Sequence, residues 1–183
     1  MTNDKDEKQI ESPGKRFTKR RVLYALALVL LAGFIFPQRW HIPVKGATSS
    51  DWNQDSFWYY PWGRSGVHKG IDIFAKRGVP VVSSVDGLVI SVDISPRGGK
   101  TVIVLGPKWR FHYYAHLDRI DTKRGRFVKA GGQLGTVGTS GNAQGKAPHL
   151  HYSIVTGVPY PWRIRGGRQG WKKMFFLDPG SMG

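Results

Sequence analysis

Short runs of apolar residues, several alternating with polar ones, recur along the chain from about residue 52, and the first three are closed by turns rich in Gly, Pro and Asp-Gly. These runs cover residues 79–85, 88–94, 100–105, 110–117, 126–128, 133–137 and 150–155. Such spacing and turn chemistry are typical of antiparallel strands, and no segment after residue 40 has a helical period. We therefore predict an all-β domain, an antiparallel sheet or sandwich, over residues 52–183.

The N-terminal region follows a different pattern. Residues 1–21 are polar, carry seven basic and four acidic side chains, and end in three consecutive basic residues. Residues 22–36 are uncharged and rich in Leu, Val and Ala. A basic flank before an apolar run is typical of an export signal or a membrane anchor, although a spanning helix usually needs ~20 residues.

No small-x-small cleavage pattern follows the apolar run directly. We therefore expect an uncleaved, short membrane helix over residues 22–37, with residues 1–21 as a cytoplasmic tail. Residues 38–51 are predicted to be a linker, within which Ile42-Pro43-Val44 could pack. Cleavage followed by secretion, or a buried core helix in place of the anchor, are the alternatives.

The net charge is +16, with 28 Lys and Arg against 12 Asp and Glu. A charge of this size favours an anionic partner, either nucleic acid, acidic lipid or an anionic polymer, although it can also serve solubility alone. Residues 162–173 hold five basic residues and two tryptophans, which predicts either an arm that contacts polymer or a solvated loop. Cysteine is absent. This excludes disulfides, thiolate metal sites, a cysteine nucleophile and lipid attachment at cysteine.

Two pairs of residues are candidates for holding a metal ion. His68 and Asp72 are four residues apart with a glycine between them, so both can reach one ion if the chain bends there. His149 and His151 alternate on a predicted strand and therefore share one face, while Leu150 enters the core. This second pair suits one metal ligand and one catalytic partner.

Each of these motifs taken alone is common on surfaces that bind no metal. Together they provide imidazole and carboxylate groups, and a third predicted strand adds His116. Two His and one Asp, with water as the fourth ligand, fit a catalytic zinc site. The sequence contains no HExxH motif, so the glutamate-base scheme of that class of metalloprotease is excluded.

Three motifs occur in a fixed order: V-H-K-G-I-D at residues 67–72, Y-A-H-L at 114–117 and P-H-L-H at 148–151. In this the chain resembles the lysostaphin-type, LytM-like zinc metallopeptidases, which are peptidoglycan endopeptidases. The resemblance covers roughly residues 62–155 and includes the connecting segments 78–89 and 135–142.

The resemblance implies one Zn²⁺ per chain, held by His68, Asp72 and His151, with His116 and His149 as catalytic residues. It implies hydrolysis of amide bonds in the peptide cross-links of peptidoglycan, for remodelling of the cell wall. The domain would lie in the periplasm, or outside the membrane, with the chain crossing a bacterial inner membrane once. The alternative is a non-catalytic module that binds the wall or activates another hydrolase. An export segment argues against a nucleic-acid partner, and the oligomeric state stays open.

Further residues near the motifs have less certain roles. His112 alternates with Tyr114 and His116, so it is expected on their face, where it supports the site or contacts substrate; otherwise it lies at the surface. Tyr113 and Tyr114 should face opposite sides, so at most one reaches the cleft. The aromatic run at residues 57–62 either walls a substrate groove or caps the sheet.

Overall fold

The computed structural model describes residues 13–182, in which one helix precedes nine strands. The helix, α1, is Pro13–Ile35. The strands are β1 (Ile71–Phe74), β2 (Pro80–Val82), β3 (Gly87–Ser95), β4 (Gly99–Gly106), β5 (Arg110–Ile120), β6 (Phe127–Val128), β7 (Gln133–Val137), β8 (His149–Thr156) and β9 (Phe176–Leu177). The chain divides between Ile35 and Phe36 into two compact units.

Helix α1 begins nine residues before the predicted membrane segment and takes in the end of the predicted cytoplasmic tail. The rest of that tail, residues 1–12, lies outside the described residues. Within residues 13–182, no helix combines the length and the apolar character needed to cross a membrane. The continuous uncharged run of α1 covers only residues 22–35, fewer than the ~20 that a span usually needs. The membrane helix over residues 22–37 therefore has no support from the structure and stays a prediction.

The second unit is built on one antiparallel sheet, in the order β1-β8-β5-β4-β3-β6. The sheet branches at β5, where β7 pairs with β5 and β2 pairs with β7, while β9 pairs with β8. The antiparallel all-β prediction is confirmed, and each of the seven predicted runs contains a strand. The sequence pattern missed β1 and β9, which are only four and two residues long. After residue 40 the described chain has only 3₁₀ turns as helical elements.

Strand β8 lies between β1 and β5 and is buried on both faces. Leu150, Tyr152 and Ile154 have no exposed surface and pack in the main hydrophobic core, which also contains Ile71 and Ile73 of β1. A fully buried side chain of this size contributes about 1.5–3 kcal/mol through the hydrophobic effect. The core thus fixes the two strands that carry the metal-site motifs.

The predicted linker packs against the sheet around residues 41–45. Val44 is 1% exposed and forms an isolated bridge with Val81, and the amide of Val82 donates to the carbonyl of Pro43 over 2.9 Å. Ile42 packs against the core as well. The expectation that Ile42-Pro43-Val44 could pack is confirmed.

Candidate active site

Three neighbouring strands bring the motif residues together. On β1, Asp72 stands directly opposite His151 of β8. His68 lies three residues before β1, where its backbone is fixed on both sides: its carbonyl accepts from the amide of Trp58 at 2.6 Å, and its amide donates to Tyr59 at 3.0 Å. Since paired backbone holds all three residues, their side chains converge without depending on a flexible loop.

The converging atoms lie at near-equal distances. His68 Nε2 is 3.1 Å from Asp72 Oδ1 and 3.1 Å from His151 Nδ1, and His151 Nδ1 is 2.8 Å from Asp72 Oδ1. Tetrahedral zinc with ligands at 2.0–2.1 Å would separate neighbouring ligand atoms by about 3.3 Å. The triangle formed by these three atoms therefore fits such an ion after shifts of a few tenths of an ångström.

The outer nitrogens of the two imidazoles both have partners that can accept a hydrogen bond. His68 Nδ1 lies 3.0 Å from the carbonyl oxygen of Ser56, which can only accept, so this nitrogen donates and a neutral His68 leaves Nε2 unprotonated. His151 Nε2 lies 3.0 Å from the hydroxyl of Ser153, a group that can accept in the same way. Imidazoles oriented like this present lone pairs to the centre of the site, as metal ligands do.

Asp72 adds negative charge at the same point. Burial by itself opposes ionisation of this carboxyl, but hydrogen bonds from His151 and then His68 outweigh it and hold the pKa far below its usual range. A metal cation would take the place of the protons that these hydrogen bonds require. One carboxylate oxygen and two imidazole lone pairs within about 3 Å of one another repel unless a cation or a proton lies between them. Among residues 13–182, His68, Asp72 and His151 form the one group with spacing suited to a metal ion, and its donors suit zinc.

The glycine in the first motif has a steric role. A Cβ atom at Gly70 would lie 2.3 Å from the carbonyl oxygen of Tyr152 and 2.5 Å from Oγ of Ser153. Both contacts are far shorter than real Cβ contacts, and one is to backbone that cannot rotate away. Glycine therefore allows the segment between His68 and Asp72 to approach β8 closely enough for all three candidate ligands to meet.

His116 reaches the same site because strand β5 contains a bulge. Tyr114 pairs with Val102 and Leu117 pairs with Lys100, so Ala115 and His116 together oppose a single residue of β4. His116 has φ 65°, a left-handed conformation that is rare outside glycine, and its amide donates to Gly98 at 2.8 Å. Its ring centroid lies 5.0 Å from that of His149 and 6.0 Å from that of His151.

His116 and His149 are held by the same kind of contact. Nδ1 of His116 lies 2.9 Å from the carbonyl of Ser140, and Nδ1 of His149 lies 2.8 Å from the carbonyl of Ala147. Both nitrogens must donate, which leaves each neutral ring with an unprotonated Nε2 able to accept a proton. Burial, with the charge of His151 as the next cause, lowers the pKa of His116 to about 4, so this ring is an uncharged base at neutral pH.

The bulge also changes which side chains share a face, so the prediction for His112 is wrong. His112 is fully buried, away from both cleft and surface, with Nδ1 2.6 Å from the hydroxyl of Tyr152. The extra residue of the bulge interrupts the alternation of side chains along β5, so His116 lies on the face opposite to that of His112 and Tyr114. Tyr114 is buried and accepts from the amide of Ser84, whereas Tyr113 lines the cleft. The prediction that at most one of these tyrosines reaches the cleft is confirmed.

The site opens into a cleft of about 1050 Å³. Trp62, from the aromatic run, forms part of its wall and stacks on His68 with ring centroids 4.0 Å apart. Tyr113 stands edge-on to His151 at 6.2 Å. The sequence could have identified Ser153 by alternation from His151, but it contains no signal for the contact between Trp62 and His68, which depends on tertiary folding.

Comparison with known proteins identifies the family. The sequence pattern of Peptidase family M23 matches residues 66–160, just over half of the chain. The chain belongs to peptidase family M23. The four histidines and one aspartate of the motifs lie inside the matched M23 region, and so do strands β1 to β8.

Individual M23 proteins are similar to this chain. The peptidoglycan DD-endopeptidase ShyB of Vibrio cholerae is 36% identical over 93 residues, which are 51% of this chain and 21% of that protein. The chain thus spans about a fifth of the length of this relative. The catalytic domain of lysostaphin from Staphylococcus simulans superimposes with a TM-score of 0.55 at 27% identity, covering 68% of this chain and 85% of that domain. A zinc-containing peptidase from Vibrio cholerae superimposes with a TM-score of 0.53 at 30% identity, covering 64% of this chain and 36% of that peptidase.

Proposed function

We propose that this M23 protein is a zinc-dependent endopeptidase that hydrolyses amide bonds in the peptide cross-links of peptidoglycan. The observation that carries the proposal is the meeting of three possible ligand atoms, on His68, Asp72 and His151, beside the imidazoles of His116 and His149. Similarity to a peptidoglycan endopeptidase and to a zinc-containing peptidase supports the choice of substrate and metal.

His68 Nε2, Asp72 Oδ1 and His151 Nδ1 would hold the zinc ion. Bound zinc lowers the pKa of a water molecule towards ~7 and polarises a carbonyl group. The Ser56 carbonyl and the Ser153 hydroxyl keep the two imidazoles oriented with their lone pairs inward. Such supporting contacts typically change metal affinity or activity by ~10–100-fold when removed.

His116 and His149 supply the proton transfers. In each ring Nε2 is the free base, so either can take the proton of the attacking water. The nitrogen that has accepted the proton then becomes a donor. It can stabilise the developing oxyanion and return the proton to the leaving amine. Because the two rings are held alike, both are assigned to the proton-transfer pair without dividing the roles between them.

The experiment that tests this proposal combines metal content with digestion. The full chain is purified, its zinc content is measured, and purified peptidoglycan is then treated with it. One zinc per chain together with the release of cut cross-links is the expected result, and mass spectrometry of the fragments identifies the bond. A folded protein that binds zinc but cuts nothing would favour the module that binds the wall or activates another hydrolase. Failure to bind zinc at micromolar concentration would falsify the metal assignment.

Single substitutions separate the two sets of residues. His68→Ala, Asp72→Ala and His151→Ala should each abolish zinc binding and cleavage together. His116→Ala and His149→Ala should retain zinc and lose about 10²–10⁴-fold in turnover, the usual contribution of a positioned acid or base. A His116→Ala protein with the native rate would remove that residue from the proton-transfer pair.

We also propose that residues 22–37 attach the chain to the inner membrane, with the M23 domain on the outer side. Large apolar side chains of this segment are exposed within α1, among them Leu23 at 64% and Ile35 at 81%. Exposed apolar surface of this kind marks contact with a membrane or partner protein. Fractionation of cells before and after extraction at alkaline pH tests the proposal. Recovery of the chain in the soluble fraction without extraction would contradict it.

A further inference from the structure

The walls of the cleft carry positive charge from three separate parts of the sequence. The basic side chains that line it are Arg64 from the turn after the aromatic run, Lys69 beside the first ligand, Arg97 from the turn between β3 and β4, and Lys146 from the loop before β8. Arg64, Arg97 and Lys146 are exposed, whereas Lys69 is half-buried and donates to the carbonyl of Ser65 at 3.0 Å.

No carboxylate among residues 13–182 neutralises these four side chains. None of them takes part in an ion pair there, in contrast to Arg77 and Arg119, which are paired with Asp118 and Asp121. The cleft lining contains no acidic residue, since Asp72 faces the neighbouring smaller pocket. The charge of Asp93 reaches Tyr113 on the cleft wall, but Asp93 itself does not line the cleft.

A basic C-terminal arm, residues 162–173, adds further positive charge near this cleft. Its Lys172 and the cleft residue Arg97 are both near enough to Lys69 for their like charges to act on it. The arm is joined at two places to the segment that precedes His68. Gln169 Nε2 donates to the carbonyl of Ser65 at 2.9 Å, and Trp58 Nε1 donates to the carbonyl of Arg168 at 3.2 Å.

Solubility alone does not explain this arrangement, because charges that only solvate a surface spread apart or pair with acids. Here cations from distant segments are collected around one concave site without an acidic partner among residues 13–182. Repulsion between them costs stability unless a bound anion offsets it. A cleft lined by one sign of charge also focuses the field and attracts substrates of the opposite sign.

We propose that the cleft selects peptides with free carboxylate groups on either side of the bond to be cut, and that Arg64, Arg97 and Lys146 bind those carboxylates. This inference rests on the proposed function and specifies its substrate class: an anionic stem peptide rather than an uncharged bridge such as oligoglycine. Guanidinium groups suit the role because they bind a carboxylate through two parallel hydrogen bonds.

Two synthetic cross-linked peptides of identical sequence test the proposal. One has free side-chain and α-carboxylates, and in the other these groups are converted to carboxamides. The zinc-loaded full chain should cut the carboxylate peptide with the higher kcat/KM, mainly through a lower KM. Raising the salt concentration should narrow the difference, because the Debye length is only about 10 Å at 0.1 M.

Substitutions then locate the effect. Arg97→Gln and Lys146→Gln should each reduce kcat/KM for the carboxylate peptide about two- to fivefold, the range expected for exposed ion pairs. Neither should change cleavage of the carboxamide peptide. Arg124→Gln is the matched control, because Arg124 is exposed and is not part of the cleft lining. It should leave the preference unchanged.

The outcomes distinguish this inference from the proposed function. Equal kcat/KM for the two peptides, or an equal loss on both peptides in Arg97→Gln, would overturn the selection of carboxylates while leaving the peptidase proposal intact. If neither peptide is cut, the peptidase proposal fails, and the selection of carboxylates is then tested by measuring how tightly each peptide binds. Quenching of tryptophan fluorescence should still show tighter binding of the carboxylate peptide, and equal affinities would overturn it.

Discussion

His116 is held in a backbone conformation that normally favours glycine, and this permits a sharp test of the bulge in β5. Replacement of His116 by alanine or by glycine removes the imidazole in both cases, so both proteins should lose turnover. The two differ only in how well they tolerate a φ of 65°. We expect the glycine protein to be the more stable of the two, the reverse of the usual order in a strand.

The magnitude follows from two opposing contributions. A left-handed conformation costs a residue with a Cβ atom roughly 1–2 kcal/mol. Glycine gives up roughly 0.5–1 kcal/mol relative to alanine because its unfolded chain is more flexible. The difference favours His116→Gly over His116→Ala by about 0.5–1 kcal/mol. For a chain of this length that corresponds to a rise in Tm of about 1–4 °C.

The assay is urea and thermal unfolding of both proteins in zinc-saturated buffer, with Ala115→Gly as the control. Ala115 is the neighbouring residue on β5 and has no positive φ. The control should therefore lose stability relative to the native protein by about 0.5–1 kcal/mol or more, as is ordinary for glycine in a strand. A His116→Gly protein less stable than His116→Ala would refute the reasoning, because it would mean that the conformation at this position carries no strain.

Three further predictions concern the metal site and the core. Gly70→Ala should weaken zinc binding about 10–100-fold, because the added Cβ displaces the first motif from β8. Gly166→Ala should leave zinc affinity unchanged, because a Cβ there meets nothing within 4 Å. Competition with a chromogenic chelator measures both affinities, and equal values would contradict the steric role of Gly70. Zinc at 100 times its Kd should stabilise the folded protein by about 2.7 kcal/mol, which is a rise in Tm of about 5–11 °C that a chelator reverses. A Tm that does not respond to zinc would exclude a zinc site in the folded state. Burial, with a smaller effect of the Arg110 charge, lowers the pKa of His112 to about 3. Between pH 6.5 and 3 the unfolded chain therefore binds a proton at this residue and the folded chain does not. As the pH is lowered from neutral to 4.5, the free energy of unfolding should fall by about 3 kcal/mol from this residue. His112→Phe should remove that loss and the exposed His41→Phe should retain it, as followed by urea unfolding at several pH values; parallel pH profiles for the two variants would place the acid sensitivity elsewhere.

The strands and the shared face of His149 and His151 could be predicted because both depend on local alternation along an extended chain. The same rule misplaced His112, since one extra residue at His116 reverses the alternation and leaves no mark in the apolar pattern. Strands as short as β9 contain too few positions to show a period. The packing of Val44 was visible only as a short apolar segment within a polar one.

Other features of the site arise only after folding. Arg64, Arg97 and Lys146 are far apart in the sequence, so net charge could indicate an anionic partner without locating where it binds. The stacking of Trp62 on His68 depends in the same way on the course of a loop. The N-terminal segment was predicted from its charge and apolar run, but residues 22–35 are too few to decide between an anchor and a shorter apolar helix.

The candidate ligands and proposed proton-transfer residues lie on or beside three adjacent strands, of which β8 pairs with both β1 and β5. The cations around them come from turns and from the C-terminal arm. Chemistry and selectivity are therefore encoded in physically separate parts of the fold. A turn can be lengthened, shortened or exchanged between relatives without moving the atoms that meet at Asp72. This makes the domain a suitable scaffold for directed evolution, in which libraries confined to the loops around Arg64, Arg97 and Lys146 would redirect cleavage while the hydrolytic machinery is inherited unchanged.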